Sequence, residues 1–524
     1  MKFSISLALA TISGLCYCLA FPGFDVWPLA FVAWVPLLVA LHGRTPKEAL
    51  VLGLVMGTTT TFAGFYWLAD MLRTFSGFPT VACLFFVFVI SVYQAGQFTL
   101  TAWLYARAST RGYPAALAFA CAFVASELVF PLLFPWYFGT AVYKVPVLAQ
   151  TAELGGPILV GLVLVAANLT LAELVVARVA KRAVDRRLVG VTSGAFAVAV
   201  AFGAVRMPMV RRTMQEAETN EVGIVQGNMA LIAKRENPNE GLKRHKRMTA
   251  ELKERGADVV VWSESSVAFT VPEAMAPNFV RERIAGGLDV PLVFGGVVFR
   301  RGQSGGGGEK WFNTAFGTDA KGDIQGRYDK QFLLAFGEYL PFGDTFPILH
   351  EWSPNSGHFS KGTSLDPLRM TIDGKERVLS MLICYEDIIP SFTNALARHG
   401  HPDLLVNITN DAWFGDTVEP WEHLALATFR AIEHRRYLVR STNSGVSAIV
   451  DPLGNIVAHT GTFKAETLLA PIRWLRTTTL FEIVGDVPWY GATIMALVMA
   501  FRRRKGTKDG GNEPPAPQTG TSTP

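Results

Sequence analysis

Residues 377–390 read RVLSMLICYEDIIP: an apolar run from Val378 stops at Cys384, and Tyr385, Glu386 and Asp387 follow at once. A short, nearly uninterrupted apolar run bounded by polar residues is the pattern of a strand buried on both faces. It predicts a strand over 378–384 that carries a thiol to its end. The chain has five cysteines, and Cys16, Cys18, Cys83 and Cys121 all lie in apolar N-terminal segments. Cys384 therefore has no partner in the polar part of the chain, which removes a disulfide framework and a paired-cysteine zinc site. In an exported domain, where disulfides are favoured, such a thiol is better explained by chemistry than by chance.

The same alternation extends on both sides. EVGIVQ (221–226), DVVVW (258–262), PLVFGGVVF (291–299), VLSMLIC (378–384), DLLVNI (403–408) and VSAIVD (446–451) are short, rich in β-branched residues and bounded by turn residues. Helical composition marks 239–256 and 420–436, the latter with apolar residues at helical spacing through Leu424, Ala427, Ala431 and Ile432. Strands alternating with helices predict an α/β or α+β domain over 220–475 with largely buried sheets.

The remainder reads differently. The 524 residues are 50% hydrophobic and only 17% charged, below the one quarter usual in soluble domains, which points to a membrane. A net charge of +5, gathered in short basic clusters beside apolar segments, argues against nucleic-acid binding. Apolar stretches near 3–21, 26–42, 48–68, 79–105, 114–134, 157–177 and 188–206, then 487–501, predict seven spans before the polar section and one after it. The first stretch resembles a signal peptide, but closely following spans favour a retained helix. The expected organisation is a membrane domain over 1–210, a catalytic domain over 220–475, a last helix over 486–505 and a disordered tail over 506–524. Basic residues cluster in alternate connections, most strongly Arg178, Lys181, Arg182, Arg186 and Arg187. With eight spans this predicts cytoplasmic termini and, in a bacterial cell, a periplasmic 220–475 section in the inner membrane.

Three strand ends deliver polar groups. VVVWSES brings out Glu264, RYDKQFLLAFGEYLP supplies Lys330 and Glu338, and SMLICYED supplies Cys384. Side chains just beyond apolar strands commonly line the ligand crevice of α/β sheets. A Glu, a Lys and a Cys meeting there would supply a base, an oxyanion stabiliser and a nucleophile. The eight histidines of this section stand in no protease-like setting, and no His or Cys pair has metal-ligand spacing with a supporting carboxylate.

VWSES, RYDKQFLLAFGEYLP, LICYED, NITNDAWFG and RSTNSGVSAIVDPLGNI together resemble the successive blocks of the nitrilase, or carbon–nitrogen hydrolase, superfamily. With seven preceding spans, one following span, and LAFPGFDVWPLA (19–30) and FPW (134–136) similar to loops of one branch, the likeness narrows to the apolipoprotein N-acyltransferase family. The resemblance implies an α-β-β-α sandwich beside a helical membrane domain. It implies Glu264 as general base, Lys330 as stabilising cation and Cys384 as nucleophile. Glu338, Tyr385, Glu386 and Trp413 would support the site, with no cofactor and no metal. The implied partners are a phospholipid acyl donor, phosphatidylethanolamine foremost, and diacylglyceryl apolipoproteins, with the enzyme a monomer. Three departures stand out: Ser263 where the family usually has Pro, the text MALIAKREN (229–237) with Arg235 near an expected Trp, and Gln331-Phe332 with Ala335 after the lysine. The alternatives are a membrane-tethered amidase acting on a small amide, and a non-catalytic sensor or transporter with a degenerate nitrilase domain.

Overall fold

The computed structural model describes residues 1–229, 238–301, 308–334, 338–339, 345–346, 348 and 357–504. The atypical 230–237 stretch with Arg235, Ala335, and the tail expected over 506–524 lie outside the described residues.

Among the described residues, thirteen strands form two sheets. β1 (Thr219–Gln226), β2 (Val259–Trp262), β3 (Thr270–Pro272), β4 (Leu292–Arg300), β5 (Lys310–Thr318), β6 (Ile324–Asp329) and β13 (Glu466–Arg473) make the first, in the order β13-β1-β2-β4-β5-β6 with β3 on β4. The second is β12-β11-β10-β9-β8-β7, from β7 (Leu368–Ile372), β8 (Lys375–Ile383), β9 (Leu404–Thr409), β10 (Leu438–Thr442), β11 (Ala448–Val450) and β12 (Ile456–His459). Neighbouring strands β1, β2 and β4 run parallel in the first sheet, as do β8, β9 and β10 in the second. These are the strands with unbroken apolar runs, because both of their faces are covered.

Successive side chains point to opposite faces of a strand. Val259 and Val261 of β2 therefore pack between the sheets against Met381, Ile383, Val406 and Val439. Val260 and Trp262 face outward onto the helix Pro238–Glu254 through Leu242, Met248 and Leu252. On the far side, helix Glu419–His434 covers the second sheet with Leu424, Ala427 and Ala431. The result is the expected layering of helix, sheet, sheet and helix.

Helix Glu419–His434 is buried around most of its circumference. Its other face, through Ala425, Phe429 and Ile432, joins a core built from the N-terminal helices. Polar contacts fix this junction. Trp67 Nε1 donates to Glu422 at 3.0 Å, Arg435 reaches Glu153 and Gln150, and Gln150 Nε2 donates to the Leu453 carbonyl at 3.0 Å.

Among the described residues, Phe3–Ala20, Thr80–Ser109, Ala152–Val179 and Arg186–Glu216 are long and apolar enough to cross a membrane. Pro46–Gly64 with Leu68–Thr74 makes a fifth if a bend of 58° is counted within one span. The stretches expected as spans near 26–42, 114–134 and 487–501 form the shorter helices Trp27–Leu41, Ala115–Val129 and Val487–Phe501. The first and last match the expected stretches to within a residue, whereas the middle helix stops five residues short, at Val129, because hydropathy does not reveal where a helix ends.

Candidate active site

β8 ends one residue earlier than the apolar run suggests, at Ile383, and Cys384 opens a tight turn, Cys384–Ile388. Its φ of +55° lies in the left-handed region that non-glycine residues rarely occupy. Such a conformation survives only where surrounding contacts impose it. Here the Glu386 carboxylate does so. Its Oε2 accepts from Ile383 N at 2.8 Å and Tyr328 Oη at 3.0 Å, and its Oε1 accepts from Gln331 N at 2.7 Å and Phe332 N at 3.1 Å. Glu386 thus ties the cysteine turn to the segment following Lys330. The unusual Gln331-Phe332 pair is accommodated because its backbone makes this contact. Asn407 of β9 adds a second anchor, its Nδ2 donating to the carbonyls of Leu382 and Cys384 at 3.2 Å each.

The other expected residues come from the opposite sheet. Glu264 follows β2, where the chain turns through Ser265 at φ +51°. Gly295 of β4 permits this turn: a Cβ there would lie 2.8 Å from the Glu264 Cα and 2.9 Å from the Ser263 carbonyl oxygen. Ser263 is buried, and its hydroxyl has no hydrogen-bond partner among the described residues. Lys330 follows β6, and its Nζ lies 2.7 Å from Glu338 Oε2 and 3.6 Å from Glu264 Oε1. The two glutamates are bridged by Asn313 of β5, whose Nδ2 donates to Glu264 Oε1 at 2.6 Å and Glu338 Oε1 at 2.7 Å. Glu338 Oε2 also accepts from Leu334 N at 2.8 Å.

Burial pushes the Cys384 thiol well above its ordinary range; Lys330 pulls it down, while Glu264, Glu338 and Asp411 push it further up. Burial alone would depress Lys330, but Cys384 when ionised, together with Glu338 and Glu264, holds it well above the usual lysine value. The resting pair is thus a neutral thiol beside a charged ammonium. Burial also lifts Glu386 to about 7, against the pull of its backbone donors.

Tyr385 and Trp413 are half-buried at the edge of the core shared with the N-terminal helices. Tyr385 stacks on His423 with ring centroids 5.3 Å apart and approaches Phe134 at 6.2 Å. Behind it lies a buried ion network. His423 Nε2 meets Asp387 Oδ1 at 2.8 Å and its Nδ1 meets Asp411 Oδ1 at 3.3 Å. Arg440 bonds Asp387 at 2.7 Å and Asp411 at 3.0 Å. Asp411, Glu419 and His423 are the one trio of potential metal ligands found among the described residues. They suit a metal poorly. Although burial opposes it and Arg440 repels, the carboxylates lift His423 to about 9, so its ring is protonated and both nitrogens are engaged.

Glu264, Lys330, Glu338 and Cys384 are therefore brought into one buried cluster, with Glu386 positioning it and Tyr385 at its border. Trp413 packs against the core shared with the N-terminal helices. Sequence reasoning missed Asn313 and Asn407. Asn407 was visible as a polar residue inside an apolar strand. Nothing in the local pattern of KWFNTAFGT marks Asn313.

Two family models match the chain. The apolipoprotein N-acyltransferase N-terminal domain matches residues 13–170, and the carbon-nitrogen hydrolase model matches 221–479. Among curated relatives, an apolipoprotein N-acyltransferase of Geobacter metallireducens is 29% identical over 95% of each chain. That of Pseudomonas putida is 29% identical over 94% of this chain and 95% of the relative. Among solved structures, an amidase from Nesterenkonia sp. aligns with a TM-score of 0.35 and 21% identity, over 48% of this chain and 90% of that one.

Proposed function

Because the chain belongs to the apolipoprotein N-acyltransferase family, we propose that it moves a fatty acyl group from a membrane phospholipid, through a Cys384 thioester, onto the N-terminal amine of a diacylglyceryl-cysteine apolipoprotein. The observation carrying this reading is the buried cluster of Cys384, Lys330, Glu264 and Glu338 at the junction with the N-terminal helices.

The thiolate is the nucleophile, and the resting thiol is neutral, so attack needs a base. Glu264 takes the Cys384 proton as Sγ bonds to the ester carbonyl carbon. The oxyanion that forms is offset by the Lys330 ammonium, which Glu338 holds in place at 2.7 Å. Collapse breaks the ester C–O bond, Glu264 returns the proton to the glycerol oxygen, and lysophospholipid leaves. In the second half, the amine of the lipidated cysteine attacks the thioester and loses a proton to Glu264. The C–S bond then breaks, that proton reaches the sulfur, and an amide remains. Excluding water from so buried a thioester protects it from hydrolysis.

The helices that are long and apolar enough to cross a membrane suit two lipid-anchored substrates. The finer reading is eight crossings, with the three shorter apolar helices completing the set and both termini in the cytoplasm. It divides the chain at 1–210, 220–475, 486–505 and 506–524. The catalytic section then faces the periplasm from the inner membrane, in a monomer whose donor is phosphatidylethanolamine. The charge clusters of the connections support that orientation.

Intact-mass measurement of the purified protein with phospholipid tests the reading. A hydroxylamine-labile fatty-acyl adduct is expected, lost in Cys384→Ala and discharged by an N-terminal diacylglyceryl-cysteine peptide. A wild-type protein that never gains this mass but hydrolyses a small amide would refute it.

A further inference from the structure

Beside Tyr385, between the N-terminal helices and helix Glu419–His434, lies a narrow cleft that the reaction above leaves unused. Phe65, Trp67, Phe134, Trp136 and Tyr385 supply its aromatic wall, and Glu419 and Glu422 its acidic one. The cations around it are already committed. His423 and Arg440 are matched by Asp387 and Asp411, each through direct contacts. Glu419 and Glu422 remain over, only 3% and 4% exposed.

Their oxygens are half satisfied. Glu422 Oε2 accepts from the Trp67 indole, while its Oε1 has no hydrogen-bond partner. Glu419 Oε1 lies 3.9 Å from His423 Nδ1, and its Oε2 likewise has no hydrogen-bond partner. A buried polar atom left without a partner costs about 1–3 kcal/mol, so native proteins seldom keep two side by side without a ligand for them. Burial lifts Glu422 to about 8 and Glu419 well above the carboxylate range, so both hold protons at neutral pH until a cation beside them takes the protons' place. Aromatic faces beside free carboxylate oxygens are the chemistry that recognises an ammonium. The cleft admits a group the size of a water molecule, which fits a primary ammonium and excludes a trimethylated one.

We propose that Glu419 and Glu422, with Trp67 and Tyr385, bind the primary ammonium group of one of the two lipid substrates. This rests on the acyltransferase reading and adds a recognition site to it. The ammonium is either that of an ethanolamine head group on the acyl donor or the α-amine of the acceptor's lipidated cysteine. Tyr385 and Ile388 of the cleft's lining belong to the turn that Cys384 opens, so the cleft is joined directly to the cysteine turn. The site selects among lipids that the thiol alone would not distinguish.

The test uses the full-length protein in lipid nanodiscs, with Glu419→Gln and Glu422→Gln as variants. Glutamine at 422 keeps an acceptor for Trp67, and Glu419→Gln leaves that contact untouched. Acyl-enzyme formation is timed by intact mass with phosphatidylethanolamine, phosphatidylcholine and phosphatidylglycerol carrying identical chains. Transfer to a diacylglyceryl-cysteine peptide is timed in a second step. If the head group is the ligand, wild type prefers ethanolamine over choline, and the ethanolamine-to-glycerol rate ratio falls about tenfold in the variants. If the acceptor amine is the ligand, donor ratios hold and the peptide concentration for half-maximal transfer rises about tenfold. Ratios need no correction for partial loss of folded enzyme. Both quantities within about twofold of wild type in both variants would overturn the site while leaving the acyltransferase intact. A wild type that forms no acyl-enzyme would remove the reading beneath it.

Discussion

Glu386→Gln probes how the cysteine turn is held, and its effect follows from four hydrogen bonds. Oε1 accepts from two backbone N–H groups, of Gln331 and Phe332. Oε2 accepts from one backbone N–H, of Ile383, and from the Tyr328 hydroxyl. An amide puts an NH2 group where one oxygen was. At the Oε1 position it would face two backbone donors, so it takes the Oε2 position, where the tyrosine can rotate to accept. The Ile383 N–H cannot, and one buried donor is orphaned at about 1–3 kcal/mol. Ile383 immediately precedes Cys384, whose positive φ the Glu386 contact maintains, so the loss falls on the placement of the proposed nucleophile. If about 2 kcal/mol enters the acylation barrier, the single-turnover rate drops about 30-fold. The assay is the time course of thioester mass, with the thermal midpoint of each variant measured beside it. Protonated Glu386 also presents a donor. With its carboxyl lifted to about 7, the gap between wild type and variant should shrink as pH falls below 7. Acylation of Glu386→Gln within about threefold of wild type at pH 8 would refute the anchoring argument.

Three further outcomes follow from the same geometry. Asn313→Ala removes the donor shared by Glu264 and Glu338 and should slow thioester formation about 10²-fold, read by the same mass assay with the donor concentration dependence unchanged. Gly445→Ala would place a Cβ 2.0 Å from Asp411 Oδ2, and should cost about 1–3 kcal/mol, seen as a lowered thermal midpoint. Glu433, lifted to about 8 chiefly by burial against the pull of Arg430, holds a proton in the folded state that the unfolded chain releases near 4.5. Stability therefore falls as pH rises through that window, and wild type should lose ground to Glu433→Gln by up to about 1.4 kcal/mol per pH unit, levelling above 8.

The central strands were legible because strands covered on both faces must be apolar throughout. EVGIVQ, DVVVW, PLVFGGVVF, VLSMLIC and DLLVNI all lie in or across β1, β2, β4, β8 and β9, with ends shifted by a residue or a few. β7 escaped notice because it is an edge strand, alternately buried and exposed, too short and polar to stand out. β10 escaped for the opposite reason. It is wholly buried, yet its Arg440 reads as surface until Asp387 and Asp411 are seen to neutralise it. Helix Glu419–His434 was legible as a helix, but nothing in its own sequence places its acidic residues indoors. Only the second layer of helices packed on it reveals that they are buried.

What the sequence determined alone is therefore local: apolar runs with the period of strands, long apolar helices, and an unpartnered thiol at a strand end. Periodicity and hydropathy are properties of neighbouring residues, and they survive without knowledge of the fold. The tertiary structure decided which distant groups meet. Glu264, Asn313 and Lys330 reach the cluster from one sheet and Cys384 from the other. That crossing depends on how two sheets stack and on where Gly295 lets the chain turn inward. The same holds for the two carboxyls beside Trp67. Their burial is created by residues more than three hundred positions away, so no window of the sequence could have disclosed it.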